Sequence, residues 1–114
     1  MAKSDTLQGS LDLLVLKILS RRPRLHGYAI MTAIQNMSGE VLRVEEGSLY
    51  PALQRLLKAD LVKARWDVSS TNRRVRTYQI TASGLRRLEQ EISSFEQMFE
   101  GISLVLNPGK STAT

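Results

Sequence analysis

The chain has 114 residues, enough for one domain with a modest core. Its 16 Lys and Arg against 11 Asp and Glu give a formal net charge of +5, which points to a polyanionic partner such as nucleic acid or an anionic membrane. The lack of cysteine excludes disulfides, thiolate zinc sites and cysteine nucleophiles. No apolar stretch approaches the roughly 18 residues of a membrane span, and the N-terminus lacks a secretory signal pattern, so we expect a cytoplasmic protein and no membrane partner.

Two helices are predicted in the first third of the chain. Apolar residues at helical spacing from Leu7 to Leu19 predict a helix buried on more than one side, and Pro23 ends it because proline disfavours helical geometry in the preceding residue. A second helix opens at His26-Gly27-Tyr28 and stops at Ser38-Gly39. Its predicted apolar face carries Ile30, Ile34 and Met37.

A third helix is predicted to start close to Gly47-Ser48, because Pro51 is tolerated near a helix start but not deep inside it. Its buried stripe is Leu49, Leu53, Leu56 and Leu57. The remaining positions carry side chains that suit phosphates and base edges in a DNA major groove, namely Ser48, Tyr50, Gln54, Arg55 and Lys58. For an isolated helix, an ordinary amphipathic helix with a solvated polar face is the more common explanation.

The apolar period changes after Leu61 from that of a helix to that of a strand. Alternation over Val62–Val68 predicts a first strand, Ser70-Thr71-Asn72 a polar turn, and Val75–Ile80 a second strand. These segments predict a β-hairpin. We expect Trp66 to lie on its apolar side and to pack against the domain.

The hairpin tip is strongly basic. Arg73, Arg74 and Arg76 crowd into four positions with no acidic residue beside them. Basic runs are commonly solvent-exposed side chains with no binding role. At the protruding end of a β-ribbon behind three helices, however, they can lie against phosphates or enter a minor groove, and we predict that they contact DNA.

The last predicted helix begins after Thr81, which is well placed as its N-cap. Apolar residues then follow an unbroken a/d heptad pattern at Leu85, Leu88, Ile92, Phe95, Phe99, Ile102 and Leu106. This period is typical of a dimer seam. Packing on the first helix is the alternative, and both can hold because a small domain cannot cover the whole stripe. A two-fold dimer would present two DNA-binding helices to successive major grooves.

The order of elements predicts a mainly α fold with a small β-hairpin (α+β), of the winged helix-turn-helix type. We expect a DNA-binding domain over residues 1–81, a dimerisation helix over 82–106 continuous with it, and a flexible tail over 107–114. No phosphate-binding loop, paired carboxylates or nucleophile–base pair is recognisable, so we expect neither an enzyme nor a cofactor. The alternative to a DNA-binding regulator is a protein-interaction module that uses the heptad helix to bind another protein.

Three ordered segments resemble the signature segments of the PadR family. They are His26-Gly27-Tyr28-Ala29-Ile30, the run from Glu46 to Leu53, and the run from Arg76 to Gly84. The similarity covers residues 9–91, and the sequence around 44–48 and 72–74 is most similar to a branch common in acidobacteria. The resemblance implies a cytoplasmic regulator, usually a repressor, that dimerises through its last helix and binds a palindromic operator. It also implies DNA contacts from Ser48, Tyr50 and the adjoining residues of the third helix, and backbone contacts from the arginines of the hairpin, which is the wing of this fold. Members of the family often respond to small aromatic or drug-like compounds.

Two departures from the family pattern stand out. A single helix follows the wing, as in the short subfamily, so we do not expect the longer C-terminal domain with its ligand pocket. The usual Gly-Arg-Pro-like wing turn is replaced by Asn72-Arg73-Arg74-Val75. An effector pocket at the dimer seam around Phe95 and Phe99 is the alternative to dry interface packing, which the sequence favours.

Three single residues are expected to be structural. His26 has no second imidazole or thiol to share a metal, so a structural role near the start of the second helix is expected. Tyr28 and Tyr78 are expected to pack, each with one hydrogen-bonded hydroxyl. Tyr50 differs because it lies off the leucine stripe.

Overall fold

The computed structural model describes the backbone of residues 3–109 and the side chains of residues 10–109. Its elements, in chain order, are α1 Lys3–Arg21, β1 Leu25–His26, α2 Gly27–Met37, α3 Glu46–Lys58, β2 Val62–Val68, β3 Arg74–Ile80 and α4 Ala82–Leu106. This is the winged helix-turn-helix order, so the predicted α+β fold class is confirmed. Of the predicted flexible tail over 107–114, residues 110–114 lie outside the described part of the chain.

Helix α1 is the centre of the core, as its broad apolar stripe predicts. It packs against α2, α3, α4 and β3. Its most deeply buried side chains are Leu11, Val15, Leu16 and Leu19. The other elements bring one apolar face each to this helix, with Ile30 from α2, Leu53 from α3, Tyr78 from β3 and Leu88 from α4 all buried. Removing this apolar surface from water is the main force that holds the domain together.

The sheet has three antiparallel strands, one more than the predicted hairpin, in the order β1-β3-β2. The additional strand consists of Leu25 and His26, which pair with Tyr78 and Thr77. Two residues are too few to show the alternation by which a strand is found in a sequence. The pairing is therefore decided by tertiary structure, which brings the start of α2 beside β3.

Helix α2 has the predicted bounds, but one residue near each end is more exposed than predicted. Ile30 and Ile34 are buried, but Met37 is 64% exposed because it is the last residue of the helix. Tyr28 is 66% exposed on the outer side, so the expectation that it packs is wrong. His26 is the N-cap residue of α2 without a capping hydrogen bond from its side chain.

Helix α3 begins at Glu46 with Glu45 as N-cap residue, close to the predicted start. Pro51 consequently lies in the second turn, deeper than expected. Its missing N–H leaves the carbonyl of Gly47 without the usual helical donor. Gly47 is exposed, so water can satisfy that oxygen and the helix continues to Lys58.

The predicted cap of α4 is confirmed. The Thr81 hydroxyl accepts a hydrogen bond from the Gly84 N–H at 3.0 Å and donates one to the Asp60 carbonyl at 2.7 Å. The Thr81 N–H also donates to the Leu61 carbonyl at 3.0 Å. These bonds hold the start of α4 against the base of the hairpin.

Helix α4 extends beyond the globular part, which gives the molecule dimensions of 57 × 28 × 25 Å. Leu88 is buried and Ile92 packs partly against the core, whereas nearly every later residue of the helix is exposed. Within residues 3–109, no helix combines the length and apolarity needed to cross a bilayer.

Candidate nucleic-acid interface

Helix α3 presents a polar stripe to solvent. Leu49, Leu53 and Leu56 face the core, as predicted. Five of its exposed positions, spaced three and four apart around the helix, form this stripe, namely Gly47, Tyr50, Pro51, Gln54 and Lys58. Ser48 is half-buried at the edge of this stripe. The stripe therefore combines a phenol, an amide and an ammonium on one accessible helix face.

Arg55 is at the same edge as Ser48, seven residues further along, and it is already paired. Its Nη2 donates to Asp12 of α1 at 2.8 Å and its Nε donates to the same carboxylate at 3.2 Å. The hydrogen bonds to Asp12 raise the pKa of the Arg55 guanidinium. Nε and Nη2 thus connect α3 to α1, and Nη1 takes no part in this pair.

Tyr50 is placed by a close approach between α3 and α2. A Cβ atom built on Gly27 would lie 2.6 Å from the Tyr50 hydroxyl oxygen, so the glycine lets the ring take this position without a shift. The ring is 42% exposed. Tyr50 is therefore held against the start of α2 while part of it stays available to a ligand.

The wing turn is closed by its own backbone. The Ser69 N–H donates to the Arg73 carbonyl at 2.8 Å, and the Asn72 N–H donates to the Ser69 carbonyl at 2.9 Å. Asn72 has a φ of +63°, a left-handed conformation that asparagine tolerates better than most residues. This local geometry explains how Asn72 serves in place of a glycine-containing wing turn.

Trp66 does not pack against the domain as expected. It is 56% exposed, because the apolar side of β2 leaves the core after Val62 and the half-buried Ala64. Its indole instead lies beside two wing arginines, with the Arg74 Cζ atom 4.6 Å and the Arg76 Cζ atom 5.8 Å from the ring centroid. The sequence pattern shows the side of the strand on which Trp66 lies but not where the core ends.

The arginines near the sheet differ in whether a carboxylate pairs with them. On the outer face, Asp67 is 3.7 Å from Arg24 and 3.6 Å from Arg65, and it accepts a hydrogen bond from Thr77 at 3.0 Å. Arg24, Arg65 and Thr77 also border a shallow cavity of about 240 Å³. Arg73, Arg74 and Arg76 have no carboxylate partner within the described part of the chain. Three positive charges without a carboxylate partner thus lie close together in the wing.

The register places the wing arginines on the helix side of the sheet. Arg74 and Arg76 alternate with Val75 and Thr77, so they project from the same face of β3 as the buried Tyr78. Helix α3 packs against β2 at the base of this sheet. The exposed stripe of α3 and two of the wing arginines therefore lie on the same side of the sheet.

The predicted dimer seam divides into two parts. Leu88 belongs to the core of the protomer, and Ile92 packs against it. The other members are exposed, namely Leu85, Phe95, Phe99, Ile102 and Leu106. Phe95 and Phe99 are stacked with their ring centroids 6.3 Å apart, and Met98 and Val105 widen the exposed apolar surface.

Within residues 10–109, no group of three His, Asp or Glu side chains could hold a metal ion.

Sequence reasoning missed two relationships at this interface. The contact of Gly27 with Tyr50 joins two helices and leaves no periodic signal. The stacking of Trp66 with the arginines could have been found, since the register Trp66↔Arg76 follows once the hairpin turn is placed at Ser70-Thr71-Asn72. That register makes Trp66 and Arg76 direct cross-strand neighbours.

Comparison with known proteins agrees with this architecture. The sequence profile of the transcriptional regulator PadR-like family matches residues 15–90. An uncharacterised protein X of Lysinibacillus sphaericus is 31% identical over 107 residues, which are 93% of this chain and 96% of that protein. An uncharacterised 37.1 kDa protein of a Streptomyces fradiae transposon is 40% identical over 87 residues, 76% of this chain and 23% of that protein.

Solved structures show the same fold. A transcriptional regulator from Clostridium thermocellum superimposes with a TM-score of 0.79 at 27% identity, covering 87% of this chain and 95% of its own. A PadR-like transcriptional regulator from Bacillus cereus gives 0.75 at 29% identity, covering 90% and 97%. PadR from Bacillus subtilis, solved in complex with operator DNA, gives 0.63 at 24% identity, covering 72% and 46%. The chain therefore belongs to the PadR-like family of transcriptional regulators and is not an enzyme.

Proposed function

We propose that this regulator is a homodimeric, cytoplasmic repressor that binds a palindromic operator. The observation that carries the proposal is the arrangement of two surfaces on one side of the sheet, the exposed polar stripe of α3 and the unpaired arginines of the wing. A helix and a β-ribbon presented together match the two grooves of a duplex. PadR from Bacillus subtilis has the same fold and was solved in complex with operator DNA, which supports the proposal of DNA binding.

Helix α3 supplies the proposed base contacts. Gln54 and Lys58 are exposed one turn apart on its outward face, and Tyr50 precedes them by one turn. A glutamine amide can donate to and accept from adenine in the major groove, and a lysine can donate to guanine or to a phosphate. Ser48 is proposed as a phosphate contact at the edge of the stripe, where its hydroxyl can donate.

Arg55 has a different proposed role from the rest of the helix. Its Nε and Nη2 atoms hold Asp12, so only Nη1 is proposed to reach a phosphate. Because the pair with Asp12 neutralises most of its charge, we expect Arg55 to contribute less to DNA affinity than Lys58 does. It fixes the angle of α3 instead.

The wing supplies the proposed backbone contacts. Arg73, Arg74 and Arg76 carry three positive charges that no carboxylate of the described residues offsets. Each phosphate neutralised by such a side chain releases counterions, which makes binding steeply salt-dependent. The wing is therefore proposed to raise affinity for any duplex, while α3 discriminates between sequences.

The distal half of α4 is the proposed dimer seam. Phe95, Phe99, Ile102 and Leu106 are exposed in the protomer, and a contiguous apolar surface of this kind marks an interaction site. Heptad spacing suits a helix of a second copy. A small aromatic effector, of the kind that the family implies, is a further proposed partner. Dry packing of Phe95 and Phe99 is favoured over a pocket for it at this seam.

Selection of bound duplexes from a random DNA pool tests the proposal. We expect an enriched inverted repeat, protected in footprinting, and lower transcription in vitro from a promoter that contains it. The double variant Arg73→Ala/Arg74→Ala should weaken binding to every duplex and reduce the salt slope by about 2. Arg86→Ala/Arg87→Ala, which removes the same charge from α4, is the matched control and should have a smaller effect.

The outcome also separates this proposal from its alternative. A protein-interaction module would bind DNA without sequence preference and would sediment alone as a monomer. Enrichment of no repeat, together with monomeric sedimentation, would therefore favour the interaction module. Enrichment of a repeat with equal half-sites would favour a dimeric DNA-binding regulator.

A further inference from the structure

The wing contains an exposed tryptophan whose position needs a physical explanation. Trp66 is directly opposite Arg76 and diagonal to Arg74, which pairs with Val68. Its ring centroid is 4.6 Å from the Cζ atom of Arg74 and 5.8 Å from that of Arg76. Both distances are within the roughly 6 Å at which a guanidinium is attracted to an aromatic face.

Core packing does not account for this residue. Along this face of β2, Val62 is buried, Ala64 is half-buried and Trp66 is exposed beyond the core. Two cations of the wing, Arg74 and Arg76, lie over its ring instead. A large exposed indole next to two unpaired arginines is best explained by a role in holding those arginines.

Stacking leaves the arginines able to bind an anion. A guanidinium that lies over an aromatic ring uses its flat face, and its N–H donors remain in the plane, where they can form bidentate hydrogen bonds to a phosphate. A free arginine must lose its side-chain freedom when it binds. An arginine already held on an indole has lost part of that freedom before DNA arrives, and preorganisation of this kind raises affinity.

We propose that Trp66 is a positioning residue of the DNA interface, which orients Arg74 and Arg76 for contact with phosphates through their free N–H edges. The inference rests on the proposed function, because it assumes that the wing contacts DNA. Arg73 is the internal contrast. It lies before β3 with no aromatic ring contact, so its contribution to binding is independent of Trp66.

The first test uses the free protein and does not depend on DNA. The side-chain protons of Arg74 and Arg76 above the indole should show ring-current shifts in NMR spectra, whereas those of Arg73 should not. Trp66→Leu should abolish the shifts, and Trp66→Phe should keep a smaller shift of the same sign. Unshifted Arg74 and Arg76 protons in the wild-type protein would overturn the stacking.

The second test is a double-mutant cycle on DNA affinity. Trp66→Leu should weaken binding to both the selected operator and an unrelated duplex by about 3- to 10-fold, from two contacts of ordinary cation–π strength. In the Arg74→Ala/Arg76→Ala background, the same substitution should change affinity less than about twofold, since the groups through which it acts are gone. Trp66→Phe should recover part of the loss.

The outcomes of the cycle are distinct. Equal losses from Trp66→Leu in both backgrounds would show that the indole contacts DNA itself and would overturn the positioning role, as would no loss in either. Melting temperatures within a few degrees of wild type confirm that the variants are folded. If the wild type selects no operator, the proposed function fails, but coupling between Trp66 and the arginines on an unrelated duplex would still support the positioning role.

Discussion

Arg55 of α3 donates two hydrogen bonds to the Asp12 carboxylate of α1, from Nη2 at 2.8 Å and from Nε at 3.2 Å. The two residues are 43 positions apart, so the pair joins the helix proposed to enter the DNA groove to the helix at the centre of the core. The planar guanidinium matches a carboxylate at two points, a geometry that lysine cannot reproduce.

We expect Asp12→Ala and Arg55→Ala each to lower the free energy of unfolding by up to about 1 kcal/mol, since the pair is partly exposed and screened by solvent. The double variant should lose little more than either single variant, because the same interaction is removed. Urea denaturation of all four proteins measures this. Arg55→Lys keeps the charge and is expected to recover less than half of the loss, and additive losses would contradict the assignment.

Gly27→Ala should affect DNA binding more than stability. The new Cβ would lie 2.6 Å from the Tyr50 hydroxyl, which is the mobile end of an exposed side chain and can move away. We expect a melting temperature within a few degrees of wild type and a several-fold weaker affinity for the operator, measured by fluorescence anisotropy. Tyr50→Ala/Gly27→Ala should bind no worse than Tyr50→Ala alone, since the Cζ and Cε1 atoms of the ring are also within 3.2 Å of the new Cβ. A further loss there would show that Gly27 acts independently of the Tyr50 ring.

Gly84→Ala should have the opposite profile, with a large loss of stability. A Cβ at this position would overlap the Leu61 carbonyl oxygen, a backbone atom that also accepts the Thr81 N–H. Overpacking against backbone typically costs about 1–3 kcal/mol or more. Thermal melting measures the loss, and Gly101→Ala in the same helix is the matched control because its Cβ would meet no atom within 4 Å. Equal melting temperatures for the two variants would refute the close approach.

Phe99→Glu should convert the proposed dimer into a folded monomer. Phe99 is 62% exposed in the protomer, so its replacement removes little of the core but places a charge in the apolar seam. Sedimentation should show half the mass, and circular dichroism should show an unchanged helical content at concentrations that keep the protein soluble. Gln97→Glu, which adds the same charge on another side of α4, should remain dimeric.

Tyr78 should make the stability fall at high pH. Burial raises the pKa of its hydroxyl, so the folded state holds the proton more strongly than the unfolded state does. Stability is then full below about pH 10, the pKa of an unfolded tyrosine, and is lost as pH rises through the higher folded pKa. Melting temperatures of wild type and Tyr78→Phe between pH 8 and 11.5 test this, and the variant should show the shallower decline. Parallel curves would contradict the assigned cause.

Local sequence features predicted most of the elements in this chain. Thr81 has the hydroxyl that an N-cap needs, and its bond to the Gly84 N–H confirms that prediction. The polar turn at Ser70-Thr71-Asn72 and the leucine stripe of α3 were also found in place. These features depend on residues within a few positions of each other, so they can be predicted from the sequence without the tertiary structure.

The candidate site was only partly predictable. The wing arginines and the outward residues of α3 could be named from charge and period, and their DNA contacts remain predictions. The partners of those residues could not be named. Asp12 for Arg55 and Gly27 for Tyr50 come from helices whose crossing geometry no local pattern specifies.

The sequence by itself determined a winged helix with a basic wing and a heptad helix, because periodicity, capping and turn chemistry act over short distances. Its three signature segments separately carried the resemblance to the PadR family. Tertiary structure alone decided where the core ends. Val62 is buried, whereas Trp66 on the same strand face lies beyond the core beside Arg74. Leu88 is buried in the protomer, whereas Phe99 on the same heptad stripe is exposed. The physical reason is that burial depends on what lies across from a side chain, and the elements that lie across come from distant parts of the chain.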